Sequence, residues 1–252
     1  MSVISIVFSP TGATARAAEL VAMHLGAQGR TIDLTENADF AAEEIRAEDV
    51  CVIAAPAYGG RMPAPAARRL AMLKGNGARA VLVATFGNRA IDDTLLEMQD
   101  VAVQAGFVPV AGVEAVTEHC LARKFGAGRP DDQDAAELAD FAQRVAARLA
   151  AGEERIPEMP GKRPFKEFKG TPAKPVAGDS CGLCGLCAAR CPAGAIPAEN
   201  PRATENDKCI SCMRCVEICP QGARQVNPAV KAALALALGA VCGGRKENRL
   251  WM

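Results

Sequence analysis

Apolar residues fall into two kinds of run along the first 150 positions. Val3-Ile4-Ser5-Ile6-Val7-Phe8, Val50 to Ala55 and Ala80 to Phe86 are nearly continuous, the pattern of strands buried on both faces. Arg30-Thr31-Ile32-Asp33-Leu34 alternates polar with apolar, which suits an edge strand. Val108 to Val116 contains Pro109, which a sheet tolerates mainly at an edge. Helix-like segments lie between these runs at about 13–27, 63–74, 89–105 and 131–150. The last is the best marked. Asp131, Asp132 and Asp134 open it, Arg144 and Arg148 lie near its end, Gly152 follows, and Leu138, Phe141, Val145 and Leu149 form one stripe. Strands alternating with helices predict an α/β doubly wound, five-stranded parallel sheet. With the two edge candidates outermost the order is 2-1-3-4-5, and a binding crevice lies beyond the C-terminal ends of strands 1 and 3.

The loops at that crevice are unusual. Ser9-Pro10-Thr11-Gly12-Ala13-Thr14 leads from strand 1 into a helix, and its hydroxyls and free amides favour an anion. An ordinary helix cap would need only one such hydroxyl. No G-x-x-x-x-G-K-[ST] is present, so a nucleoside triphosphate is not indicated. Pro56-Ala57-Tyr58-Gly59-Gly60-Arg61-Met62-Pro63 follows strand 3, with paired glycines and the chain's single tyrosine. Thr85-Phe86-Gly87-Asn88-Arg89 follows strand 4.

A different chemistry occupies the other end. Cys181, Cys184, Cys187 and Cys191 precede Pro192, and Cys209, Cys212, Cys215 and Cys219 precede Pro220, with the second run starting 28 residues after the first. Both read C-x2-C-x2-C-x3-C-P, the bacterial ferredoxin signature, in which the fourth cysteine ligates the other cluster. Two [4Fe–4S] clusters are therefore expected, one on Cys181, Cys184, Cys187 and Cys219, the other on Cys209, Cys212, Cys215 and Cys191. Structural zinc usually sets its two pairs well apart, which fits two overlapping triplets poorly.

Charge and composition narrow the class further. Lys plus Arg equal Asp plus Glu at 29 each, so neither nucleic acid nor an anionic membrane is indicated as a partner. No stretch approaches the ~20 apolar residues of a membrane span. Of the eleven cysteines, Cys51, Cys120 and Cys242 remain unassigned, and an odd number of spare thiols favours a reducing, cytoplasmic setting. Residues 153–177 read as a Pro-, Gly- and Lys-rich linker between an N-terminal domain (1–152) and a cluster domain (178–228). Lys162, Arg163, Lys166, Lys169 and Lys174 there could draw an acidic redox partner, while Phe165 and Phe168 suggest packing on a surface. In the remaining segment, 229–252, Leu234 and Leu238 share a face that Leu236 leaves, consistent with a docking helix.

Taken together, S-P-T-G-A-T, P-A-Y-G-G-R-M-P and T-F-G-N-R resemble the phosphate loop and the two ring-binding loops of flavodoxins. With the cysteine runs, E-H-C at 118–120, G-R-P-D at 128–131 and K-E-N at 246–248, nearly the whole chain resembles the bacterial flavodoxin–ferredoxin fusion proteins of anaerobic metabolism. The resemblance implies FMN. Ser9, Thr11, Gly12, Ala13 and Thr14 would hold its phosphate, and Ala57, Tyr58, Gly59, Gly60, Thr85, Phe86, Gly87 and Asn88 would flank its ring, with Gly59 or Gly60 at the peptide that rotates beside N5. Many flavodoxins clamp the ring between two large aromatics. Here the candidates are Tyr58 and Phe86, which leaves the ring more open.

Two functions follow as expectations. One is an electron-transfer flavoprotein relaying electrons between the clusters and FMN, with a ferredoxin, flavodoxin or other oxidoreductase as partner and a homodimer left open. The other is an FMN-dependent reductase of a small substrate, with His119 as proton donor and Arg61 as a cation beside the reduced ring. A redox sensor or storage protein is a third reading. No G-x-G-x-x-G follows a strand, so direct use of NAD(P)H is not expected.

Overall fold

The computed structural model describes residues 2–153 and 155–252, so Met1 of the N-terminal domain and Glu154 of the linker lie outside the described residues. Five parallel strands, β1 (Val3–Val7), β2 (Gln28–Asp33), β3 (Val50–Pro56), β4 (Arg79–Phe86) and β5 (Val108–Val116), pair in the order β2-β1-β3-β4-β5. Successive side chains point to opposite faces of the sheet. Cys51, Ile53 and Ala55 therefore meet Leu82, Ala84, Leu70, Leu95 and Met98 on one face. Val50, Val52 and Ala54 meet Val81, Val83, Ala17, Val21, Leu138 and Val145 on the other. Helices α1 (Ala13–Ala22) and α4 (Asp132–Ala150) cover the second face, and α2 (Ala64–Leu70) and α3 (Thr94–Gln104) the first. Helix α4 starts at a reciprocal cap, in which Asp131 accepts from the Asp134 amide and Asp134 from the Asp131 amide.

Three expectations require adjustment. Helix α1 stops at Ala22, short of 27, and Gly26 takes a φ of 152° as the chain turns toward β2. Helix α3 starts at Thr94 because Asn88 and Asp92 both sit at positive φ in the preceding loop. Strand β5 is not an edge. Residues Arg249–Trp251 form a further strand that pairs antiparallel with Gly112–Glu114. Pro109 is accommodated by a register shift against β4, where Ala80 faces Pro109 and Val81 faces Ala111.

The linker is packed. Buried Met159 lies against Gly112, where a Cβ would stand 2.4 Å from its sulfur, and Phe165 packs on the core. The linker amides of Lys162 and Lys166 donate to the two oxygens of Asp93 at 3.0 and 2.7 Å.

In the cysteine-rich part, β6 (Val176–Ala177) pairs antiparallel with β7 (Arg224–Gln225), and two one-turn helices, α5 (Leu186–Ala189) and α6 (Arg214–Glu217), sit between them. The sequence repeat is also a backbone repeat. Leu183 and Ser211 have φ of 56° and 55°, Gly185 and Met213 72° and 63°, Gly194 and Gly222 59° and 58°. Helix α7 (Pro228–Gly239) follows, and the last strand of the main sheet, Arg249–Trp251, is β8. No helix among the described residues is long and apolar enough to cross a membrane.

Candidate flavin and cluster sites

At the C-terminal edge of β1, β3, β4 and β5 lies a cavity of about 260 Å³. Pro10, Thr11, Ala13 and Thr14 line it from the first loop, Ala57, Tyr58 and Gly59 from the second, and Thr85, Phe86 and Gly87 from the third. Thr14 and Thr85 share a hydrogen bond between hydroxyls at 2.7 Å, joining two of these loops. Ser9 accepts from the Ala15 amide at 2.9 Å, and its own amide donates to Thr35 Oγ1 at 2.7 Å, so Ser9 braces the loop from behind. Gly12 adopts φ 88°, ψ −27° and makes no side-chain cap, leaving the first-turn amides of α1 without a side-chain acceptor from that position. Donors at a helix start suit a phosphate.

Tyr58 to Arg61 form a tight hairpin, with the Tyr58 amide donating to the Arg61 carbonyl at 3.0 Å and the reverse bond at 3.2 Å. Both central glycines have positive φ, 62° and 84°, as a type I′ turn requires. Neither accepts a Cβ. At Gly59 it would stand 2.1 Å from the Phe168 ring, and at Gly60 2.1 Å from an Asp92 oxygen. Burial, then the nearby Cys120 and Cys212, pushes the Tyr58 hydroxyl well above its usual range, so it stays a neutral phenol.

Three expected site residues have other employment. Gly60 is buried and lies behind the hairpin against Asp92. The Asn88 amide group donates to the Cys242 and Gly244 carbonyls at 2.6 and 2.7 Å and accepts from the Lys246 amide, tying down the C-terminal segment. Arg61 makes a bidentate pair with Glu97 at 2.8 and 2.7 Å, donates to the Lys166 carbonyl at 2.7 Å and lies 4.9 Å over Phe165. It clamps the linker.

His119 does line the cavity, its Cα and ring Cδ2 close to Gly87. Its Nδ1 accepts from the Leu121 and Ala122 amides at 3.2 and 3.3 Å, which leaves Nε2 to carry the proton. Burial holds the imidazole below its ordinary pKa, so it is neutral near pH 7.

Several lining residues come from outside the predicted loops. Phe168 and Thr171 enter from the linker, Leu234 and Leu238 from α7, and Ile210 and Ser211 from the turn between Cys209 and Cys212. These side chains partly cover the crevice from outside the loops. Phe168 and the Leu234–Leu238 face carried a signal in the sequence; Ser211 carried none.

None of the eight motif cysteines is taken up in a disulfide. A second, smaller cavity is lined by Cys191, Cys209, Cys212 and Cys215 together. Backbone amides aim at the sulfurs, Ala195 at Cys191 and Ala223 at Cys219 at 3.3 Å, and Ser211 at Cys209 at 3.4 Å. Burial would raise the Cys219 thiol, but amides of Arg224, Gln221, Ala223 and Gly222 together outweigh it and lower its pKa. Among the described residues no group of three or more His, Cys, Asp or Glu closes around a single metal ion. Arg224, 1 % exposed, ties the half together by donating to the Pro175 and Pro201 carbonyls at 2.7 and 2.6 Å.

Residues 180–224 match the 4Fe-4S dicluster domain family. Among solved structures, the chain is similar to a Streptococcus pneumoniae flavodoxin (21% identity over 58% of this chain and 97% of that one, TM-score 0.37). It is similar also to flavodoxin 1 of Bacillus cereus (14%, 59% and 99%, TM-score 0.39). A flavodiiron core from Synechocystis matches at 17% identity over 61% of this chain and 37% of that one, TM-score 0.43, so the chain spans little more than a third of that relative. No curated protein matches the chain. The sheet order and the cysteine-rich match together define a flavodoxin-like doubly wound fold fused to a 4Fe–4S domain.

Proposed function

We propose that this protein is an electron-transfer iron–sulfur flavoprotein that relays electrons between two [4Fe–4S] clusters and FMN. The observation that carries the reading is one cavity bounded on one side by the crevice loops and on the other by the Cys209–Cys212 turn. FMN supplies exchange between one- and two-electron chemistry when bound. Thr11, Ala13 and Thr14 would face its phosphate, with Ser9 and Gly12 shaping the loop. Tyr58, Gly59, Phe86 and Gly87 would face its ring, and the partial cover of Phe168, Leu234 and Leu238 would limit water. Cys181, Cys184, Cys187 and Cys219 would hold one cluster, and Cys191, Cys209, Cys212 and Cys215 the other.

The reductase reading is less well supported. It needs a small-molecule path and a proton source, whereas the cavity is partly covered, Arg61 is engaged with Glu97 and His119 is held neutral. The partner is then another redox protein, in a setting that keeps thiols reduced.

The test is anaerobic purification of the holoprotein. About one flavin should be released per chain on denaturation, with about eight irons. The prereduced protein should then reoxidise quickly with a ferredoxin or flavodoxin and slowly with small organic oxidants. Absence of flavin sinks the FMN assignment, and fast turnover of a small substrate would move the balance to the reductase.

A further inference from the structure

The two cysteine turns are repeats of one another, yet they face different surroundings. Residues Leu183 and Ser211 occupy equivalent places, each immediately before the second cysteine of its run, and each takes the same left-handed φ. Leu183 is 57 % exposed, whereas Ser211 is 3 % exposed and lines the crevice cavity. Its amide donates to Cys209 Sγ. Its hydroxyl is buried and has no hydrogen-bond partner in the protein. A buried hydroxyl without a partner is costly, and native structures rarely leave one without a ligand or solvent to meet it. Tyr58 lines the same cavity as Ser211, so the turn lies beside the hairpin as well.

We propose that Ser211 contacts the flavin, its hydroxyl donating a hydrogen bond to the ring system, and that the Cys191, Cys209, Cys212 and Cys215 group is the one next to the flavin. This rests on the FMN reading above. The other group, with exposed Cys184 and with Leu183 and Leu186 at the surface, then faces the redox partner.

The experiment compares wild-type holoprotein with Ser211→Ala, Ser211→Gly and Leu183→Ala. Both Ser211 variants lack the hydroxyl, but glycine also relieves the positive φ, so the pair separates the hydrogen bond from backbone strain. FMN dissociation is read by flavin fluorescence on dilution, and the flavin midpoint potential by anaerobic titration. Both Ser211 variants should release FMN with about tenfold higher Kd and a shifted potential, at wild-type iron content, whereas Leu183→Ala should leave both readouts unchanged. Wild-type FMN affinity and potential in Ser211→Gly would overturn the proposal alone. A wild-type protein purified without flavin would overturn the FMN reading and this proposal with it.

Discussion

At the scale of single residues, the cavity separates groups that can meet a flavin from groups that only shape its walls. His119 meets the cavity, but two amides occupy its Nδ1 and burial lowers its pKa. Its charged form is therefore confined to pH values below its ordinary range near 6.5. Electron passage from the clusters to the flavin should then show no inflection between about pH 6.5 and 8, and His119→Gln should leave the rate within a factor of about two to three. An inflection in the wild type that vanishes in His119→Gln would restore the proton-donor role. Arg61 is the complementary case. Its type and position in the loop suggested a cation for the reduced ring. Glu97, 36 positions away, redirects it, and nothing local to P-A-Y-G-G-R-M-P announces that partner. Pairing chosen by the tertiary fold is what the linear pattern conceals.

At the scale of elements, the pattern was legible wherever burial imposed a period. The strands of the parallel sheet are buried on both faces, so their apolar runs are long, and each emerged close to its observed bounds. Strand β8 escaped because Arg249–Trp251 is three residues long, and the linker read as solvated because its composition is polar. Its docking is set by Met159, Phe165 and the Asp93 carboxylate. Arg61→Ala should cost about 1–3 kcal/mol of local stability by removing the clamp on the Lys166 carbonyl. Limited proteolysis should then cut within 160–170 faster than in the wild type, and equal rates would contradict the clamp. The C-terminal segment has its own latch. Asn248 accepts from the Val116 amide and donates to Asp134, while Arg129 pairs with Asp134 and donates to the Lys246 carbonyl. Burial pushes the Asp134 carboxyl up, but Arg129, the Asp131 amide and Asn248 outweigh it and hold it below the usual range. A depressed folded pKa gives stability that is complete above the unfolded value, near 3.8, and fades as pH falls through the folded one. Trp251, the only tryptophan, donates to Glu114 at 2.9 Å on β5 and reports on the latch. Its emission should change first as Glu114, whose carboxyl burial raises above its usual 4.5, takes up a proton, and again below about pH 4 as the Asp134 latch titrates. Arg129→Ala removes the bidentate partner of Asp134 but leaves it Asn248 and the longer contact to Arg245, and should destabilise by about 1–3 kcal/mol.

At the scale of the whole molecule, the proposed relay depends on how firmly the cysteine-rich half sits against the flavodoxin-like half, because electron passage falls steeply with distance. The contact is largely built from charge. Glu36, just beyond β2, accepts from both Arg190 and Arg214, and Arg214 lines the second cysteine group's cavity. Arg69 bridges from α2, donating to the Leu34 carbonyl at 2.7 Å and the Pro192 carbonyl at 2.9 Å. Arg123 reaches Glu217. Apolar cover from α7 is thin, with Leu234 and Leu238 half-buried and Leu236 82 % exposed. A contact of this kind is sensitive to salt and to single substitutions. Arg214 is only 14 % exposed and its Nε already has no partner, so losing Glu36 leaves a half-buried cation with little else to meet. Glu36→Ala should therefore slow flavin reduction through the clusters at least threefold, at unchanged iron and flavin content, when followed at the flavin band after mixing with a reduced protein donor. Raising the salt should slow the wild type in the same direction and affect the variant less, because the variant has already lost the screened pairs. An unaltered rate in Glu36→Ala would mean that Arg69 and the cover over the cavity hold the halves in register unaided, and that the Glu36 pairs contribute no more than exposed ion pairs do.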